Sequence, residues 1–219
     1  MALGLDTATP CSQSTIDAVV RAGYKFIVRY YCTGGLWKRL SSEEALRLSD
    51  PGLWVVSAFQ NYNNSIGRFS RSPGRANGRA AYEYARDVIG QPDDTPIYFA
   101  VDFDATDAEA KGAIRDYFVA VNDVFVELGG QYDVGVYGSG AICQYMKHDV
   151  KLAQYSWLSM STGWRGYRRY VSQNQWNLKQ IKPISIAGVE FDTDESSSLG
   201  GGGWRIRPGT TGYREPAGQ

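Results

Sequence analysis

The chain alternates between two kinds of segment. Short runs rich in Val, Ile, Phe and Tyr are followed by stretches with helical periodicity, and the pattern repeats through most of the 219 residues. Strand signals fall at residues 2–5, 25–31, 53–60, 96–101, 133–137, 155–160, 176–181 and 184–191. Helical signals occupy most of the intervals. Ser12 or Ser14 caps a helix to about Ala22, and Ser41 with Glu44 forms a capping-box pattern. Residues 75–89 are helical, and residues 107–128 carry Ile114, Phe118, Val121 and Phe125 three or four apart. A helix follows Gly140, and the signal at 163–172 is weak. The link between the last two strands is too short for a helix. Such alternation implies a parallel sheet covered by helices. Eight units predict an α/β fold, a single-domain TIM-type (β/α)8-like barrel, near that fold's lower limit of roughly 200 residues. The rival, a doubly wound open sheet, usually carries a glycine-rich loop after its first strand. Here that place is Asp6-Thr7-Ala8-Thr9-Pro10. The barrel is assigned to residues 1–195 and a Gly/Ser/Pro-rich tail or linker to 196–219, with Trp204 and Ile206 able to pack back.

Composition narrows the chemistry. Lys plus Arg equals Asp plus Glu at 23 each, so the chain lacks the basic excess of a general nucleic-acid binder. The single histidine, His148, argues against Ser-His-Asp and Cys-His catalysis and against a multi-histidine metal site. Acid-base work falls to carboxylates. Cys11, Cys32 and Cys143 form no CxxC motif. At most one disulfide is possible, and Cys11 with Cys32 is the candidate pair. No apolar run reaches the ~18 residues of a membrane span. Residues 1–6 lack the basic and apolar regions of a signal peptide. The expectation is a protein that stays inside, leaves by another route, or is an excised domain.

In barrels of this type the active site lies at the C-terminal strand ends. The expected ends carry Asp6, Gln60, Asp102 with Asp104, Tyr137, and Asp192 with Asp194. Residues i and i+2 of a strand share a face, about 6.6 Å apart. Asp102 and Asp104 are therefore expected to point together into the mouth, with Phe103 outward. Two such carboxylates cannot both ionise freely, which suits glycoside hydrolysis. Alternatively, Asp104 or Asp107 caps the next helix. Arg29, inside an apolar strand, needs a partner. Glu190 and Asp6 are candidates, for an ion pair between strands or for orienting a substrate. Tyr30, Tyr31, Tyr62, Trp157, Trp164 and Trp176 either stack on sugars or fill the core. Arg165, Arg168 and Arg169, interleaved with Tyr167 and Tyr170, form a solvated helix face or meet an acidic polymer.

Four motifs occur in one order: Gly4-Leu5-Asp6-Thr7, the run from Tyr98 through Asp102 and Phe103 to Asp104, Gly135-Val136-Tyr137-Gly138, and Phe191-Asp192-Thr193-Asp194. Over residues 3–195 the chain resembles the DUF1906 glycoside-hydrolase-like domain family, related to the family 25 lysozymes. The resemblance implies a TIM-like barrel acting on the glycan of bacterial peptidoglycan, with no metal or cofactor. In those lysozymes an Asp on the first strand, an Asp-x-Glu on a central strand and an Asp on the last surround the scissile bond. Asp6, Asp102, Asp104 and Asp192 fill these places. Asp104 replaces the Glu proton donor and is one methylene shorter. That change shifts the geometry, moves the acid role to a residue such as Glu190, or leaves a binding domain without turnover.

The expectation is a muramidase-like glycosidase. Asp104 is the general acid, Asp102 positions an N-acetyl group or stabilises charge, and Asp6 and Asp192 orient the substrate. Arg29, Gln60, Tyr137, Trp157 and Glu190 contact it. The alternative is a non-catalytic peptidoglycan-binding module. A third reading, a Mg²⁺- or Ca²⁺-dependent hydrolase using Asp102, Asp104, Asp192 and Asp194, lacks supporting histidines. Expected partners are peptidoglycan or a related glycan, plus a secretion apparatus or cognate inhibitor, with no nucleic acid and no membrane span. The protein is expected to be monomeric and extracytoplasmic, exported without a visible signal peptide.

Overall fold

The apolar runs are buried on both faces, which is why they read as continuous rather than alternating. All six residues of β4 (Thr95–Ala100) are inaccessible: one face meets the barrel interior and the other the helices. In the computed structural model, which describes residues 1–207 and 213–215, eight strands close on themselves. They are β1 (Ala2–Asp6), β2 (Phe26–Tyr31), β3 (Trp54–Phe59), β4, β5 (Tyr132–Gly138), β6 (Tyr155–Leu158), β7 (Leu178–Ile186) and β8 (Val189–Ser196). Pairing of β3 with β4 and of β8 with β1 completes the ring.

Two rings of side chains fill the space. Phe26, Val28, Val56, Ala58, Tyr98, Trp157 and Leu178 pack inside the barrel. Ile27, Tyr31, Val55, Phe59, Ile97, Phe99 and Val136 face outward and pack with the helices. The inner ring needs room. A β-carbon on Gly4 would stand 2.3 Å from the Phe26 ring, and one on Gly135 would stand 2.7 Å from Tyr98. These glycines serve close approach rather than turning.

The helices fall in the expected intervals. They are α1 (Gln13–Arg21), α2 (Ser42–Ser49), α3 (Arg71–Glu83), α4 (Asp107–Glu109), α5 (Arg115–Glu127), α6 (Gly140–Cys143) and α7 (Tyr167–Gln173). Short π-helical stretches extend α3 and α6, and another joins α4 to α5. The weak signal at 163–172 does contain α7. Ser12 caps α1 by accepting from Thr15 N–H at 3.3 Å. Ser41 caps α2 by accepting from Glu44 N–H at 3.1 Å. The Glu44 carboxylate does not return to Ser41, so only half of that box forms; it goes to Arg29 instead.

The expectation of parallel strands fails at the last one. β8 runs antiparallel to both β7 and β1. Ala187 and Gly188, both at positive φ (51° and 76°), make a two-residue turn between β7 and β8. The turn therefore lies about five residues later than the sequence pattern placed it.

The assigned tail is also corrected. Ser196 belongs to β8, and residues 200–203 cross the N-terminal end of the barrel. Tyr98 Oη, inside the barrel, donates to Gly201 O at 3.0 Å. β9 (Trp204–Arg205) then pairs with β3 at Val55. Trp204 is fully buried, and its indole N–H donates to Ser57 Oγ at 2.9 Å. Tyr213–Arg214 pairs with β9 as β10. The remainder of the assigned tail, 208–212 and 216–219, lies outside the described residues. Cys11, Cys32 and Cys143 are all buried free thiols, so the candidate Cys11–Cys32 disulfide is absent.

Candidate active site

A cleft of about 280 Å³ opens at the C-terminal ends of the parallel strands. Asp6, Gln60, Asp102, Tyr137, Trp157 and Asp192 from the expected set line it, together with Tyr30, Trp164 and Gln180. Asp6 ends β1, and Tyr137 and Trp157 come from β5 and β6. Asp102 stands two residues beyond β4.

The first and last strands carry a carboxylate group. Asp6 pairs directly with Asp192 in the β1–β8 register, and Asp194 lies opposite Gly4, one step deeper. This order follows from the antiparallel direction of β8. Asp194 is fully buried, and its Oδ1 accepts from Trp157 Nε1 at 2.7 Å. Its Oδ2 meets no other hydrogen-bond donor. Burial first, and then the neighbouring Asp6 charge, hold Asp194 well above the usual carboxylate range. Both causes favour the protonated form of Asp194 beside Asp6. Burial pushes Asp6 up to about 7, against the hydrogen bond from Gln180 and with the charge of Asp192. Burial also raises Asp192.

Gln180 organises this group. Its Nε2 donates to Asp6 Oδ2 at 2.8 Å and to Asp192 Oδ2 at 3.1 Å. Its Oε1 accepts from Tyr137 Oη at 3.1 Å. Tyr30 Oη donates to the other Asp6 oxygen at 2.8 Å. Across the cleft, Asp102 accepts from Gln60 Nε2 at 3.1 Å. Lys38 Nζ donates to Gln60 Oε1 at 3.1 Å and lies 5.1 Å from the centre of the Tyr30 ring. Burial raises Asp102, with Gln60 and Lys38 opposing.

Three expected residues lie elsewhere. Asp104 does not share the cleft face with Asp102. β4 ends at Ala100, so the chain has left the strand and its two-residue period no longer holds. Asp104 instead accepts from Arg165 Nη1 at 2.7 Å and from the Arg165 backbone N–H at 2.8 Å. It does not cap the following helix; Thr106 does, in a complete capping box with Glu109. Arg29 points out of the barrel and meets neither Asp6 nor Glu190. Its Nε bonds Glu44 Oε1 at 2.9 Å, its Nη2 bonds Glu44 Oε2 at 3.2 Å, and Nη1 donates to Thr7 O. With both partners buried, this pair ties α2 to the barrel. Glu190 is exposed beyond the cleft, on the far side of Asp192 from Asp194. Among the expected rings, Tyr31 is buried against the helices and Trp176 packs with Leu158 and Tyr170. Among the described residues no carboxylate, cysteine and histidine cluster has the geometry to hold a metal ion.

Gln180, Lys38 and the buried position of Asp194 escaped the sequence reading. A polar Gln180 two residues from Leu178, on the same strand face, was the available signal for the first.

The family described as Rv2525c-like, glycoside hydrolase-like domain matches residues 17–198. That span contains Asp102, Asp104, Asp192 and Asp194 and begins after Asp6. The chain is 30% identical over 206 residues to uncharacterized protein FadG of Bacillus subtilis, covering 90% of this chain and 35% of FadG. It spans about a third of that relative. Its fold is similar to the Mycobacterium tuberculosis Tat-secreted protein Rv2525c in complex with L-tartrate. There the TM-score is 0.72, with 24% identity over 96% of this chain and 98% of that one. It is also similar to a muramidase from Acremonium alcalophilum, with a TM-score of 0.58 and 12% identity over 90% and 94% of the two chains. At these identities the structural likeness carries the fold.

Proposed function

The chain belongs to the Rv2525c-like, glycoside hydrolase-like domain family, and on that premise we propose that its cleft binds and cleaves the glycan of bacterial peptidoglycan. One observation carries the reading. Carboxyl groups whose affinity for a proton is raised by burial line opposite sides of a single ring-lined cleft. Asp102 follows β4 and Asp192 belongs to β8, four strands away around a ring of eight. Glycoside hydrolysis needs this division, with a proton donor on one side of the bond and an ionised carboxylate on the other.

Asp102 is the proton donor in this proposal. Burial favours its protonated form, while Gln60 and Lys38 stop the rise from going too far. Asp192 is the charge opposite, oriented by Gln180 Nε2. Beneath it, burial favours the neutral forms of Asp6 and Asp194, so the nearest buried neighbours add less negative charge when Asp192 ionises. Tyr30, Tyr137 and Trp164 supply faces on which sugar rings stack. Asp104 would join only after breaking its ion pair with Arg165. The domain works outside the cytoplasm in this account, a placement supported by the Tat-secreted description of Rv2525c.

The test is incubation with purified cell walls. Release of soluble muropeptides with new reducing ends is expected. Sedimentation with walls and no new reducing ends would favour a non-catalytic binding module. The observation on that side is Asp104, which replaces the lysozyme Glu and is held away from the cleft by Arg165 at 2.7 Å.

A further inference from the structure

A second pocket, of about 370 Å³, lies beside the cleft on its Asp102 side. The loop after β3 joins the two. Gln60 lines the cleft, while Asn61, Tyr62 and Asn63 line the side pocket. Asn63 O accepts the backbone N–H of Asp102 at 2.8 Å, so one residue forms the wall between them.

Three groups in this pocket are not used by the fold. The first is Asn63 Nδ2. Asn63 is 2% exposed, and its Oδ1 accepts from Asn61 N–H at 3.1 Å. Its Nδ2 is buried and meets no acceptor in hydrogen-bonding geometry. The Tyr117 hydroxyl is near and also accepts from Asn77 Nδ2 at 3.0 Å; an amide NH2 carries two hydrogens, so even with Tyr117 as one partner Asn63 Nδ2 keeps a second for a ligand. A buried donor left without an acceptor costs free energy. A ligand acceptor would relieve that cost. The second is the Tyr62 ring, 58% exposed beside Gly34, which leaves the face open. The third is Arg68, whose guanidinium lies 5.7 Å from the centre of the Tyr62 ring. Among the described residues it has no salt-bridge partner.

We propose that this pocket is a further sugar subsite, which takes an N-acylated sugar bearing a carboxylate. The Tyr62 face stacks on the sugar ring. Asn63 Nδ2 donates to the acyl carbonyl. Arg68 pairs with the carboxylate, which a planar guanidinium suits. The inference rests on the proposed action on peptidoglycan for the identity of the strand, and it adds where the next sugar sits. Lys38, Gln60 and the Asn61–Asn63 loop then form one continuous path from the subsite to the proton donor.

The test compares two probes by calorimetry. One is N-acetylglucosaminyl-N-acetylmuramic acid with a free lactyl carboxylate; the other is the neutral N,N′-diacetylchitobiose. Wild type should bind the carboxylated disaccharide about threefold to fivefold more tightly, the scale of one exposed charge pair. Arg68→Gln should abolish that preference and leave the neutral disaccharide unchanged. Tyr62→Ala should weaken both. Both side chains are exposed, so neither substitution threatens folding. Asn63→Asp, which keeps the acceptor to Asn61 and removes the donor, should weaken both as well. Failure of wild type to bind either disaccharide would overturn the subsite. So would an unchanged preference in Arg68→Gln together with unchanged affinities in Tyr62→Ala. Wall cleavage measured in parallel separates the two claims. Cleavage without the preference sinks the subsite alone, and the preference without cleavage sinks only the hydrolase reading.

Discussion

The burial of Asp6 beside Asp194 should make stability depend on pH with an unusual sign. Asp6 is 4% exposed, and burial raises it from an ordinary 3.8 to about 7. Between those values the folded chain holds a proton that the unfolded chain has released. Stability from this group is therefore complete below the unfolded value and is lost as pH rises through the folded one. Each unit is worth about 1.4 kcal/mol, so roughly three units give about 4 kcal/mol. Asp6→Asn removes the titration. Asn at this site also disturbs the Gln180 bridge, but that cost is the same at every pH. The quantity to follow is thus the stability difference between variant and wild type at about pH 4 and about pH 7. Urea unfolding read by tryptophan fluorescence supplies it. The difference should move in favour of Asp6→Asn by about 2–4 kcal/mol, the lower figure applying if Asp194 takes over part of the titration. A difference constant to within about 0.5 kcal/mol, or moving the other way, would refute the raised pKa of Asp6.

Three other perturbations test separate parts of the structure. Gln60→Leu removes the hydrogen bond that lowers Asp102, so the alkaline limb of the pH profile for kcat/KM on wall glycan should move to higher pH. Trp204→Ala empties a fully buried site under β3 and should cost about 3–5 kcal/mol in chemical denaturation. Glu44→Gln leaves the buried Arg29 without a counter-charge and should cost about 3–5 kcal/mol, whereas an outward-facing pair such as Arg71–Asp123 should contribute under about 1 kcal/mol.

The barrel was legible because both faces of its strands are buried, so apolar runs and helical intervals favoured it over the doubly wound rival. The strand ends were legible for the same reason: Asp6 and Asp102 each follow an apolar run. Position beyond a strand end was not. Asp104 leaves the cleft because no sheet register constrains it after Ala100. Strand direction was also hidden. The link into β8 was too short for a helix, but Ala187-Gly188 is a weak turn signature, and only a reversed β8 puts Asp192 at the rim and Asp194 beneath Asp6. The partner of Arg29 came from α2 rather than a neighbouring strand, because alternate β2 residues face the helices. The glycines at 200–203 resemble a linker in composition, yet they cross the barrel floor in close contact with Leu178, Pro96 and Trp54.

Product analysis of digested peptidoglycan by mass spectrometry tests the central claim most directly, with Asp102→Asn and Asp104→Asn run beside wild type. Wild type should release muropeptides with new reducing ends, Asp102→Asn should release almost none, and Asp104→Asn should retain most of the activity. Loss on changing Asp104 with activity kept in Asp102→Asn would contradict the assignment of the proton donor. Absence of cleavage products from wild-type protein that sediments with the walls would contradict hydrolysis itself.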